Sequence, residues 1–252
     1  MFVRILVFYL LAFVFTFVLG GTQQALGIDP LLSALPQWGP GLAGLAMLLI
    51  FRKDQHRLNF RLKGVPPAKF LWAVLLPLLA AVVVFPIVWF TRMGFRFQID
   101  LSTPLPLFLA SLALGALGEE IGWRGYLHAR LDREHRPLVS CLIVGVMWAL
   151  WHVGFYQNGA LYVLAGVVLL TAVTFTMYAL LREMDFNLWV ASAFHFGVNL
   201  ANLFYFSVVN QTGYMLLNAV AWTALAAIVA LWRRRAAADD SLNDHPSPAE
   251  LT

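Results

Sequence analysis

The chain has 252 residues, 61% of them hydrophobic and 12% charged, with a formal net charge of +4. A soluble domain carries about twice that share of charged residues, so the composition excludes soluble domains and implies one polytopic membrane domain. So small a charge surplus makes no case for a nucleic-acid partner, and the single cysteine, Cys141, excludes an intrachain disulfide and a cysteine-built zinc site.

Apolar runs of spanning length recur along the whole chain. The first follows Arg4, from Ile5 to Leu19. It is long for a signal-peptide core, and Gly20-Gly21-Thr22 offers no clean cleavage site, so an uncleaved helix is expected. Others lie near 36–51, 69–91, 105–128, 137–155, 160–181, 186–208 and 213–232, giving about eight transmembrane helices in one all-α bundle. The second is short, and Pro77 and Pro86 are expected to kink the third. Three regions follow: residues 1–104 with three helices and a basic segment at 52–69, a helical core over 105–232, and a disordered tail over 233–252.

Charge placement gives the expected topology. Arg4, Arg52, Lys53, Arg57, Arg61, Lys63, Lys69, Arg130, Arg133, Arg136, Arg182 and Arg233 to Arg235 fall on one side, and only Arg92 and Arg96 on the other. The positive-inside bias makes this an integral protein of the cell membrane with both termini cytoplasmic. The segment 52–69 is expected to lie against anionic headgroups of the bilayer, a partner in its own right.

Of 13 acidic residues only Glu119 and Glu120 fall inside a span. Ionisable groups at bilayer depth cost a few kcal/mol each and mark function by default. Glu120 and Arg124 are an i, i+4 pair in the favourable acid-first order, whereas Glu119 is rotated about 100° from Glu120. Pairing keeps one carboxylate ionised, and the other is left tunable for general-base work. Gly115, Gly118, Gly122 and Gly125 thin the helix so that neighbours can bury the pair. Two more polar sites occur within spans: Trp148-Ala-Leu-Trp-His152, and His195-Phe-Gly-Val-Asn199 with Asn202 a turn further on. At about 1.5 Å rise per residue, Glu119, His152, His195 and Asn199 reach compatible depths near mid-membrane. His56, His128, His135 and His245 read as solvated loop, interface or tail residues.

Glu119-Glu120-x-x-x-Arg124 followed by Gly125, an aromatic-x-x-x-His ending at His152, and His195-x-x-x-Asn199 resemble, in order, the three motifs of the CPBP family. That family comprises type II CAAX prenyl endopeptidases and bacteriocin-processing, lysostaphin-resistance-like intramembrane proteases. The similarity covers about 105–205, with Trp123 where the family commonly has Phe and Trp148 in place of the second-motif Phe. The resemblance implies that Glu119 and His152 activate water, that His195 and Asn199 bind the oxyanion, and that Glu120 and Arg124 hold the site together. The reading that follows is an intramembrane endopeptidase cleaving membrane-anchored peptides or proteins near the cytoplasmic side of the bilayer; prenylated substrates are what the resemblance implies for one branch, and bacteriocin-like substrates or a membrane-anchored regulator fit equally well. No cofactor is expected. The alternative is zinc on Glu119, His152 and His195, although no His-Glu-x-x-His motif is present and Arg124 competes for Glu120. A non-catalytic scaffold of the same fold and a proton-coupled transporter are the rival readings.

Overall fold

Helices begin where proline or an asparagine cap ends an extended stretch. The computed structural model describes residues 2–52, 56–91, 93–95, 104–205 and 207–243. Helix α1 spans Phe2–Ala25, and a 3-10 turn, Leu35–Trp38, leads into α2, Gly39–Ile50. Helix α3, Pro67–Phe90, runs through Pro77 and Pro86 without a break. Helix α4 covers Leu105–Glu134: it is α-helical to Glu120, π-helical over Ile121–His128, and α-helical again from Ala129. Helix α5, Pro137–Trp151, passes into a 3-10 segment, Val153–Asn158. Helices α6, Ala160–Leu181, α7, Leu188–Leu203, and α8, Thr212–Asn243, complete the chain. Proline stands at the first or second position of α2, α3, α4 and α5, where its missing N–H is of no consequence.

No strand occurs among the described residues, in keeping with the all-α expectation. A helix stands at each of the eight expected places. Among the described residues, five stretches are long and apolar enough to cross a membrane: Phe2–Ala25, Pro67–Phe90, Leu105–Glu134, Ala160–Met184 and Thr212–Arg235. Leu35–Ile50 and Pro137–Trp151 are shorter apolar helices, so length and composition support five crossings where the sequence suggests eight. The last helix also outruns its expected end. Residues 233–243, expected in the tail, continue α8, because alanine and arginine are strong helix formers. Arg233 donates to the Ala179 carbonyl and pairs with Glu183, fastening that end of α8 to α6. The rest of the expected tail lies outside the described residues.

Many large apolar side chains are exposed while one charged cluster is fully buried, unlike a soluble domain. Phe17, Val82 and Val83 are 61%, 66% and 66% exposed, while Glu119, Glu120 and Arg124 are 1%, 0% and 0%. Such a continuous exposed apolar surface suits lipid. Helix α4 sits centrally, touching α2 along its glycine face, α5 across the π segment, and α7. The basic segment does more than face headgroups. Its described part, 56–66, straps the bundle: Asn59 accepts from Leu188 N and donates to the Met184 carbonyl, and Asn187 Nδ2 donates to Arg61 O. His56 donates Nε2–H to Gly125 O at 2.6 Å, and burial holds its imidazole below the ordinary pKa, favouring the neutral ring that bond needs. Asn187 also caps α7, its Oδ1 accepting from Trp189 N and Val190 N.

The glycines of α4 have the expected purpose. A Cβ on Gly122 would lie 2.1 Å from Pro40 O and 2.3 Å from Pro40 C, both rigid backbone. Gly122→Ala is therefore expected to force α2 and α4 apart at a cost of about 2 kcal/mol. Thermal unfolding in detergent should show a melting temperature several degrees lower, whereas Gly154→Ala, with no atom within 4 Å of the new Cβ, should leave it unchanged.

Candidate active site

Burying two adjacent carboxylates requires donors, and the 35–38 turn, α5, α7 and α4 itself supply them. Glu119 faces the 35–38 turn and α5: its Oε1 accepts from Gln37 Nε2 at 2.9 Å and its Oε2 from Trp148 Nε1 at 2.8 Å. Glu120 faces Arg124 and α7: its Oε1 accepts from Arg124 Nη1 at 3.0 Å and from His195 Nδ1 at 2.8 Å. The rotation of about 100° between neighbouring helical residues thus sends the two carboxylates to different partners. Arg124 also donates Nη2 to Thr174 Oγ1 at 3.4 Å on α6.

The turn that carries these residues is wound wide. The Ala129 N–H bonds back to Arg124 O, five residues earlier, the spacing of a π-helix. Such segments are rare and recur at functional sites, and this one begins directly after Glu120.

Trp148 lies at the centre of the cluster. Its indole N–H holds Glu119, Arg124 Cζ lies 4.0 Å from its ring centre, and the rings of His195 and His152 lie 5.3 Å and 5.8 Å away. Helix α5 ends at Trp151, earlier than the sequence suggests, so His152 occupies the C-cap with non-helical φ −72° and ψ 74°. Its Nδ1 donates to Trp148 O at 2.8 Å, which leaves Nε2 as the free ring nitrogen and, in the neutral ring, a proton acceptor. Beside it opens a cavity of about 320 Å³ lined by His152, Gly154, Phe155, Gln157, Asn158 and Asn210. The volume falls at the lower end of ligand pockets, and the three amides give the lining polar hydrogen-bonding groups.

Five of the six residues singled out from the sequence, Glu119, Glu120, Arg124, His152 and His195, therefore meet around one indole. The sixth, Asn199, stands one turn beyond His195 on α7. Its Nδ2 is buried and has no hydrogen-bond partner among the described residues. Gln37 escaped the sequence reading, although an amide at the mouth of an apolar run is the kind of intramembrane polar group that flags a site. The solvated reading fails for two histidines: His56 is half-buried with Nε2 bonded to Gly125 O, and His128 is the other. His128 is not solvated but 1% exposed, stacked on Tyr178 with ring centres 5.3 Å apart and 3.6 Å from Cys141 Sγ. The wide π turn carries it inward, where aromatic packing replaces hydration.

A zinc ion, the alternative cofactor, finds a poor fit. Glu120 Oε1 is shared by Arg124 and His195, and the Arg124 guanidinium beside the cluster adds a positive charge that a bound cation would oppose. No three His, Cys, Asp or Glu side chains group to hold a metal among the described residues.

Fold and site together describe a helical membrane protein with a buried glutamate–histidine centre. Residues 101–201 match the family model described as type II CAAX prenyl endopeptidase Rce1-like, and the three motifs that resemble the CPBP family all fall within that stretch. A 59-residue stretch is 37% identical to a protein of Methanococcus maripaludis named CAAX prenyl protease 2. That stretch covers 23% of this chain and 20% of the relative.

Proposed function

We propose that the chain is an intramembrane endopeptidase that hydrolyses peptide bonds with water activated by Glu119 and His152. The observation that carries this reading is the convergence of Glu119, His152 and His195 on Trp148 beside a polar cavity. Hydrolysis of an amide needs a base for water and donors for the developing oxyanion. The Glu119 carboxylate and His152 Nε2 supply the base. The buried, unpartnered Asn199 Nδ2 supplies one donor. His195 supplies the other from Nε2 when both its nitrogens carry protons, with Nδ1 anchored on Glu120. Arg124 and Glu120 hold this arrangement without touching the scissile bond.

The cavity also bears on the side of attack. Its lining belongs to the segment after α5 and the one before α8, whereas the basic segments lie at the other end of these helices and are crossed by the 56–66 strap. The cavity thus opens at the end of these helices away from the basic segments. The substrates are membrane-anchored peptides or proteins, and the relative's name makes prenylated C-terminal peptides the first class to try.

Terminal-peptide profiling of membranes with and without the chain tests the reading. New carboxyl and amino termini are expected when it is present, and they should persist in a strong chelator. Their absence would favour a scaffold or carrier, and loss on chelation with recovery on adding zinc would overturn the metal-free mechanism.

A further inference from the structure

The Glu119 carboxylate is gripped by two uncharged N–H donors. One, Trp148, occupies a position where the family's second motif has Phe, and the other, Gln37, lies outside the matched residues 101–201 altogether. Neither contributes a charge or a proton to the reaction. Each occupies one carboxylate oxygen, fixing the plane of the group and leaving only its remaining lone pairs for water. We infer that Gln37 and Trp148 are positioning residues that hold Glu119 in its reactive orientation, so that the 35–38 turn of the N-terminal region is part of the catalytic apparatus.

Three further observations support the inference. The turn is seated against α4 by glycines: a Cβ on Gly115 would lie 2.0 Å from Gln37 Oε1, and one on Gly118 would lie 2.9 Å from the Trp38 ring. Only glycine at 115 leaves room for the amide to reach Glu119. Trp148 is pinned in turn by Arg124 over its ring and by His152 bonded to its carbonyl, so the donor N–H has a fixed direction. A phenylalanine there would keep ring contacts with Arg124, His152 and His195 but give up the N–H. This chain therefore holds its base with a bond that the common family residue cannot make.

The inference rests on the protease reading, and its test separates the two. A substrate is first taken from the terminal profiling, and wild-type cleavage of it is established. Trp148 is then replaced site-specifically by benzothienylalanine, in which sulfur replaces the indole N–H at nearly unchanged shape; Trp148→Phe and Gln37→Leu are made alongside. Losing a hydrogen bond to a charged group should lower kcat about tenfold in each variant, with KM within about twofold of wild type and an unchanged melting temperature for the benzothienylalanine protein. Gly115→Ala should reproduce the Gln37→Leu loss, because its methyl displaces only the end of a flexible side chain. Full kcat in the benzothienylalanine protein, or a loss seen in KM alone, would overturn the inference while leaving the protease reading intact. A wild type without cleavage would instead sink the reading beneath it.

Discussion

Substituting glutamine for Glu119 is expected to abolish peptide-bond cleavage while the helices stay assembled. Glutamine has the same size and reach, so the packing of α4 against α2 and α5 is preserved. Two donors now point at this side chain, Gln37 Nε2 and Trp148 Nε1, and an amide offers only one oxygen. The conflict resolves at small cost, because the Gln37 amide can turn and present its own oxygen. What cannot be restored is a group able to take a proton from water. General-base catalysis contributes about a hundred- to ten-thousandfold, so terminal profiling should find no products above background. Turnover at wild-type level would remove Glu119 from the base role, and a collapsed melting temperature would show that the carboxylate is structural first.

Removing Arg124 is expected to give the largest loss of stability. Its guanidinium is fully buried, bonded to Glu120 and Thr174, and stacked on Trp148. Arg124→Met leaves a buried carboxylate whose charge is then opposed only by His195. Breaking a buried pair from one side costs about 3–5 kcal/mol. The protein should melt far earlier in detergent or fail to accumulate. Removing both partners, in Glu120→Leu with Arg124→Met, should recover much of that stability, because an apolar replacement of a whole buried pair is often nearly neutral. Activity should not return with it, since His195 loses its anchor. A double variant no more stable than Arg124→Met would show that the stack on Trp148, not the ion pair, carries the stability.

Most of the candidate site was legible because charge inside a membrane is conspicuous. Glu119 and Glu120 stood alone among the acidic residues, and the spacing of Arg124, His152, His195 and Asn199 pointed to one layer. The helices were legible from hydropathy for all but His152, which stands just past the end of α5. Less visible was everything that depends on where neighbours meet. Gln37 is 82 residues from Glu119, and no local pattern couples them. Trp148 could be read as an aromatic in a motif but not as a donor, since the direction of its N–H is set by the packing of α5 on α4. The π segment has no signature in Ile121–His128, and it alone turns His128 inward. The end of the last helix was missed for a different reason: charged residues suggested a tail, while their helix propensity and the Arg233–Glu183 pair extend α8.

The central claim is that Glu119 and His152 act as a unit on one water. The most direct measurement is a double-variant cycle on the purified protein with an identified substrate, in variants that keep measurable turnover: Glu119→Asp, His152→Gln, and the two combined. Groups sharing one catalytic event are strongly non-additive. The combined variant should cleave no more slowly than the worse single one. Losses that multiply would mean that the two residues serve separate steps, and the shared-water mechanism would be wrong.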